Sequence, residues 1–337
     1  MMMRKRTKIS KPNYKLAENK ALEFIKHLER KELPIKLLKF KKIFHDLEIK
    51  TYSWYSKKMG LSIEKVCEDL NSEDGCCVYN ESNSKYRIYY NDTIDNEGRK
   101  RWTIAHELGH YALQHNKKYG FNIMQRKNIP DEQYRIFEQE ANCFARTLLA
   151  PPHVIFHINN PNPMIIQEIC NISLEAAVYT HNFIRDGVRE YGIGYSKDFV
   201  KEIGFGDFLF SINNRYFCKK CRCNFVREKP EFCPCCGNAS ISKTHFKYGD
   251  DFNMIYPATV EVDFKGRAKT CPQCKNEELD YEGDYCNICS TYLVNECSST
   301  NYCGTALSGN ARYCHKCGSK STFLNNNHLK EWDALPF

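Results

Sequence analysis

The sequence predicts an α+β fold: a small sheet flanked by helices, one of them bearing a His-Glu-x-x-His pattern, followed by small β-rich zinc ribbons. Three observations predict it. Short runs rich in β-branched and aromatic residues alternate with apolar stretches of helical period in the N-terminal part of the chain. Two of those helical stretches, around residues 99–115 and 137–152, are long and have no interior proline. Fourteen of the 19 cysteines lie after residue 217, mostly in C-x-x-C pairs. At 337 residues, two or more domains are expected, the first large enough for a sizeable core.

Taken in order, residues 1–15 (MMMRKRTKISKPNYK) read as a disordered basic tail. Residues 16–46 read as two helices joined near Leu33-Pro34. IKTYSWYS (49–56) reads as a strand, and LSIEKVCEDLNSEDG (61–75) as a short helix ending at a turn. CCVYNESNSKYRIYYN (76–91) reads as a hairpin around its Asn-Glu-Ser-Asn-Ser centre. Two long helices follow, with a polar, irregular stretch at 116–133 between them that could border a cleft. After Pro163 a further helix pair runs to about residue 190. The glycines of YGIGYSKDF and IGFGDF fit loops within 191–216, and a domain boundary is expected near residue 205.

The first long helix, RKRWTIAHELGHYALQH (99–115), is the most informative segment. Residues four apart share a helix face, so His106 and His110 aim two imidazoles at one point and Glu107 lies beside it. Such a pair with a nearby carboxylate suits a zinc ion with its water, Glu107 serving as the base. Trp102, Ile104, Ala105, Leu108, Ala112 and Leu113 form an apolar stripe that would bury one side of the helix. Gly109 leaves room beside the imidazoles for a ligand or a crossing helix.

A catalytic zinc usually takes three protein ligands. The second helix, FEQEANCFARTLLAPP (137–152), offers Glu138 and, four residues on, Asn142. On one face, Glu138 could bind zinc while Asn142 hydrogen-bonds a ligand histidine. Glu140 is the rival ligand, on a side expected to be solvated. A donor for a developing oxyanion is sought among Tyr111, His115, His153, His157, Tyr179 and His181; His153, just past Pro151-Pro152, is favoured because the ligand helix ends there.

HELGHYALQH followed by E-x-x-A-N-x-F-A-x-x-L-L-A-P resembles the ImmA/IrrE family of zinc metallo-endopeptidases. LPIKLLKFKKIFHDLEIKTYSW (33–54), KYRIYYND (85–92) and ICNISLEAAVYTHNFIR (169–185) are looser likenesses, and together the resemblance covers roughly residues 18–190. It implies a gluzincin-like centre, with His106, His110 and Glu138 on zinc and Glu107 as base. It also implies cleavage of a helix-turn-helix repressor, which switches on stress or mobile-element genes.

In the C-terminal part, Cys218, Cys221, Cys233 and Cys236 read as a first Cys₄ ribbon, with Cys223 and Cys235 as rivals for Cys221 and Cys236. Cys271, Cys274, Cys286 and Cys289 form a second set. Cys297, Cys303, Cys314 and Cys317 form a third, its first pair stretched to C-x₅-C. One catalytic and up to three structural zinc ions are therefore expected. FNMIYPATVEVDFKGRA (252–268) alternates like a strand and would join the first ribbon to a β-segment. The domains expected are a tail (1–15), a metallopeptidase-like domain (16–205), a first ribbon with its β-segment (206–266), tandem ribbons (267–322) and a tail (323–337).

The remaining cysteines, among them Cys67, Cys143 and Cys170, read as buried thiols. The net charge of +8 is concentrated in residues 1–60, with 17 Lys and Arg against 6 Asp and Glu. A solvated lysine-rich face explains this better than a nucleic-acid arm, since aromatic and arginine-rich reading elements are absent there. Nucleic acid could meet the ribbons or that basic start; a protein substrate, such as a DNA-binding repressor, is the main expected partner. No apolar run approaches 18 residues and no apolar segment follows the basic start, so no membrane partner and a cytoplasmic location are expected. Two other functions compete: a zinc-ribbon adaptor for protein or nucleic acid with an inactive peptidase fold, and hydrolysis of a non-peptide amide.

Overall fold

The computed structural model describes residues 11–119, 130–245, 260–300 and 303–334. The chain divides into two compact units, Met1–Leu209 and Phe210–Phe337. Among the described residues no helix is long and apolar enough to cross a membrane.

The first unit mixes a three-stranded sheet with helices. Helix α1 (Tyr14–Lys26) begins where the Asn13 side chain accepts from Leu16 N. A cis Leu33–Pro34 peptide and the short α2 (Phe40–Ile43) lead to strand β1 (Leu47–Thr51). The strand stops sooner than its sequence suggests, because Thr51 accepts from Trp54 N and starts helix α3 (Tyr52–Met59). The aromatic residues of 52–56, read above as strand, are therefore helical: a capping hydroxyl outweighs a weak β preference. Helix α4 (Ile63–Leu70) and the hairpin β2 (Gly75–Asn80) and β3 (Lys85–Tyr90) follow the pattern of the sequence. The central β3 pairs parallel to β1, with Ile49 opposite Ile88, and antiparallel to β2, with Cys77 opposite Ile88.

Helix α5 (Glu97–Ala112) is capped by Asn96, and α6 (His115–Tyr119) follows it closely. Helix α7 (Asp131–Leu149) crosses α5 and packs against α1. Phe24 joins these layers, with its ring 5.2 Å from Phe144 and 6.0 Å from Tyr111. Helices α8 (Pro152–Phe156), α9 (Pro163–Cys170) and α10 (Leu174–Tyr191) complete the outer side. Beyond Gly192, in the left-handed conformation, the expected loops are in part helices α11 (Lys197–Glu202) and α12 (Gly206–Asn213). Ser196 caps α11, while Val200, Ile203 and Phe205 are buried and give this segment its anchor.

The second unit is built around cysteine-bearing turns. Strands β4 (Arg215–Cys218), β5 (Asn224–Val226) and β6 (Ile241–Lys243) form an antiparallel sheet in the order β5-β4-β6. Five turns share one hydrogen-bond pattern. After Cys218, Cys233, Cys271, Cys286 and Cys314, the cysteine N–H reaches the carbonyl five residues on, and its carbonyl accepts from the N–H four residues on. The fifth residue of each turn, Arg222, Gly237, Lys275, Ser290 or Gly318, is left-handed. Only two are glycine, so three knuckles hold a conformation that costs an L-residue about 1–2 kcal/mol. Metal ligation would supply the compensating energy.

Of the expected strand at 252–268, residues 252–259 lie outside the described residues, and the remainder makes only isolated bridges, Val262 to Ala268 and Arg267 to Val294. Residues 1–10 and 120–129, parts of the expected tail and of the stretch between the motif helices, also lie outside them. Residues 323–337, read as a tail, differ from expectation: Phe323, Leu324 and Leu329 are buried with Ala268 beside helix α13 (Thr322–Asn325). Three large apolar side chains within seven residues are enough to draw the segment into a core.

Candidate metal centre

Helices α5 and α7 meet at Gly109. A Cβ there would stand 3.0 Å from Ala141 Cα and 3.1 Å from its carbonyl oxygen. The missing side chain thus admits the crossing helix, one of the two uses its position suggested. The crossing brings one turn of α7 over the paired histidines. His106 Nε2 and His110 Nε2 are 3.0 Å apart. Glu138 Oε2 lies 3.3 Å from the first and Oε1 3.3 Å from the second. A tetrahedral zinc with bonds of about 2.0–2.1 Å has ligand–ligand edges of about 3.3–3.4 Å, so these three donors fit one.

Glu107 is also near: one ligand atom each from His106, Glu107 and His110 lie within 4.8 Å of one another. The two carboxylates differ in what they face. Glu138 bridges both Nε2 atoms, whereas Glu107 is buried and accepts from the backbone N–H of Cys77 in β2. Burial raises the Glu107 pKa above the usual carboxyl value, against the pull of His110 and His106. Burial acts the same way on Glu138, but when the His106 and His110 rings carry protons on Nε2 their hydrogen bonds and charge outweigh it and hold that carboxyl below its usual range.

The other ring nitrogens are tied down. His106 Nδ1 lies 3.0 Å from Asn142 Oδ1. An amide oxygen only accepts, so the His106 proton sits on Nδ1 and the Nε2 lone pair faces Glu138. His110 Nδ1 lies 2.9 Å from His115 Nδ1, and His115 Nε2 lies 2.9 Å from Glu140 Oε2. The carboxylate accepts, so neutral His115 donates from Nε2 and accepts at Nδ1. His110 must then donate from Nδ1, which leaves its Nε2 lone pair for a metal. Glu140 Oε1 accepts from Asn13 N at 2.7 Å.

Glu140 is therefore buried, not solvated as its helix position suggested, and it supports His110 through His115. Sequence periodicity missed this relay for a geometric reason. Helix α5 ends before His115, and left-handed Gln114 turns the chain so that the His115 ring comes back beside His110.

The other residues considered as oxyanion donors stand elsewhere. His153 packs its ring 4.6 Å from Phe199 and 5.1 Å from Tyr195, and no contact with His106, His110 or Glu138 is found among the described residues. Its place at the end of α7 brings it to α11, not to the histidine pair. Tyr111 donates to Asp46, and His157 meets the Tyr195 carbonyl. Tyr179 lines a largely apolar groove of about 910 Å³ with Trp102, Asn142, Arg146, Leu149 and Phe183. Asn142 joins this groove to the histidine pair.

In the second unit, three groups of four cysteines converge: Cys218, Cys221, Cys233 and Cys236; Cys271, Cys274, Cys286 and Cys289; and Cys297, Cys303, Cys314 and Cys317. A tetrahedral Zn–S site with bonds of about 2.3 Å has S···S edges of about 3.8 Å. The first set has edges of 3.7 Å (Cys218–Cys236) and 3.6 Å (Cys221–Cys233). The second has 3.6 Å for both Cys271–Cys289 and Cys274–Cys286. The third has 3.3 Å for Cys297–Cys317 and 3.7 Å for Cys303–Cys314. Backbone N–H groups of Cys235, Ser299 and Lys316 point at the sulfurs of Cys233, Cys297 and Cys314 at 3.4 Å, as thiolates require. The four groups are compatible with zinc.

No curated protein matches the chain. Residues 61–180, from the start of α4 into α10, match the family model Peptidase_M78, the IrrE N-terminal-like domain. The match is narrower at both ends than the likeness read from the sequence, and it contains the histidine pair, Glu107, Glu138 and Asn142. With its His-Glu-x-x-His helix and its carboxylate-bearing partner helix, this part of the chain is similar to the IrrE N-terminal-like domain, and the likeness supports a metallopeptidase-like domain compatible with zinc.

Proposed function

We propose that the chain is a zinc-dependent endopeptidase acting on a protein, with a helix-turn-helix transcriptional repressor as the substrate class its resemblance suggests. The observation that carries this reading is Glu138, 3.3 Å from both Nε2 atoms, while Asn142 and His115 hold the opposite nitrogens. His106, His110 and Glu138 would hold the zinc. Bound there, the metal supplies a Lewis acid for the scissile carbonyl and lowers the pKa of a water. The chain does the rest. Glu107, fixed by the Cys77 N–H, takes a proton from the attacking water on its carboxylate and delivers it to the leaving amine nitrogen. Its raised pKa suits a group that must hold that proton for part of the cycle. The groove at Asn142 receives apolar side chains of the substrate on Trp102, Leu149 and Phe183. The ribbons would recruit the substrate, and their thiolates suit a reducing compartment, so we assign the protein to the cytoplasm.

A second reading, an adaptor with an inactive peptidase fold, is favoured by the three four-cysteine groups. Glu107→Gln separates the two. Full-length protein and variant are incubated with a repressor encoded beside the gene, and fragments are identified by mass spectrometry. An endopeptidase loses cleavage by a factor of at least about 10²–10⁴ while keeping its zinc. Absence of cleavage by the unmodified chain, with substrate binding equal in both forms, favours the adaptor.

A further inference from the structure

Another cavity of the first unit, of about 560 Å³, lies between segment 36–42 and the opening turns of α5. Its size falls within the range of about 300–1,000 Å³ usual for small-molecule sites. Glu97, Lys100, Arg101 and Ile104 recur at helical spacing, so one face of α5 forms a wall. Buried Leu37 and Phe40 pin the segment from which Lys39, Lys41 and Lys42 line the cavity.

Among the lining residues, six cations face two carboxylates. Two of the six are answered: Lys36 by Glu32 at 3.5 Å, and Lys100 by Glu97. Lys39, Lys41, Lys42 and Arg101 have no carboxylate in ion-pair contact among the described residues, against one unpaired lining carboxylate, Asp92. Arg101 is half-buried and fixed. It donates to the carbonyl oxygens of Ile35 at 3.1 Å, Asn171 at 3.1 Å and Cys170 at 3.4 Å. These bonds use three of its five N–H donors and bring no negative ion to it. Burial lowers its pKa, the direction expected of a cation taken from water without a counter-ion beside it.

We propose that this cavity binds a small organic polyphosphate of the nucleoside diphosphate class, its phosphates on Arg101 and the three unpaired lysines and its ring on Leu38 and Tyr90. Charge selects the phosphates. Four uncompensated cations suit a diphosphate ester, which carries about three negative charges near neutral pH, better than a single carboxylate. The two free N–H groups of a planar guanidinium match phosphate oxygens, and a cleft lined by one sign of charge concentrates such anions. Leu38, Tyr90 and Ile104 supply an apolar wall that an inorganic phosphate would leave unused. The cations line a concave cavity, whereas a duplex presents a convex backbone, so a compact ligand fits better than nucleic acid. The site uses neither the histidine pair nor the ribbons, so its test does not depend on peptide cleavage.

Equilibrium dialysis of the full-length chain, loaded with zinc and freed of excess, against radiolabelled ADP tests the site. One ADP per chain is expected. Pyrophosphate should displace it, more weakly than unlabelled ADP does, and adenosine at the same concentration should not. Lys39→Ala/Lys41→Ala/Lys42→Ala should bind ADP at least about 10-fold more weakly, since three exposed ion pairs contribute about 0.2–1 kcal/mol each. These lysines are exposed, so the variant keeps its fold, which circular dichroism checks. Lys15→Ala/Lys57→Ala/Lys58→Ala removes the same charge elsewhere and should bind as the unmodified chain does. No saturable ADP binding, or an equal loss in both triple variants, overturns the proposal. Displacement of ADP by a short DNA duplex at a lower phosphate concentration than pyrophosphate requires also overturns it, since the lysines would then form a nucleic-acid surface.

Discussion

Gly109→Ala tests whether the crossing of α5 and α7 sets the metal centre. The new Cβ would meet Ala141 at 3.0 Å (Cα), 3.1 Å (O) and 3.3 Å (Cβ). Carbon pairs rest at about 3.5–4.0 Å, so α7 must retreat by about 0.5–1 Å at this point. Two of the obstructing atoms are backbone, so a rotamer change gives no relief. Glu138 lies one turn from Ala141 on the same helix, and metal–ligand distances tolerate only about ±0.2 Å. The retreat therefore takes its carboxylate out of reach of the metal that His106 and His110 would share. Stability responds less. Overpacking costs about 1–3 kcal/mol, and replacing glycine within a helix returns about 0.8–1.0 kcal/mol. The net loss is about 0–2 kcal/mol, or at most about 8 °C in Tm for a domain of this size. Zinc affinity at the histidine centre should fall at least about 10-fold, the lower end of what disturbing a ligand's support costs. Chelator competition followed by native mass spectrometry reads that affinity as the loss of one ion while the cysteine-bound ions stay; a thermal melt reads stability. A variant with unchanged affinity at this centre would refute the reasoning, since α7 would then have absorbed the methyl without moving Glu138.

Three further outcomes follow from the same geometry. Glu140→Gln weakens the buried partner of His115 and leaves the Asn13 N–H a poorer acceptor; a stability loss of about 1–3 kcal/mol in chemical denaturation is expected, with a 10–100-fold drop in zinc affinity at the histidine centre. Asn142→Ala frees His106 Nδ1 and should cost a similar 10–100-fold in affinity or cleavage with little change in Tm, because Asn142 is exposed on the groove side. Removal of metal with a strong chelator should unfold the second unit while the helical circular dichroism of the first largely survives. The first unit has a buried apolar core, whereas the second buries its cysteines among few large side chains. Loss of both signals together would show that the first unit also depends on its metal for folding.

Much of the centre is legible in the sequence because it is local. His106 and His110 share a face by helical period alone, and so do Glu138 and Asn142. The cysteine groups are legible for a similar reason, since a knuckle is a turn of a few residues whose spacing is its geometry. What periodicity leaves open is which face of a helix turns inward when both carry polar residues. Glu138 and Glu140 lie two positions apart, on nearly opposite sides of α7, and both are used: one reaches the histidine pair, the other is buried behind it. The choice belongs to the crossing at Gly109 and Ala141, a contact between segments some thirty residues apart. The His115 relay depends on one left-handed residue after α5, and helix α3 on one threonine hydroxyl. Local spacing determined which side chains can act as pairs; the packing of one helix against another decided which pairs face each other, because burial and hydrogen bonding are settled only between segments distant in the chain.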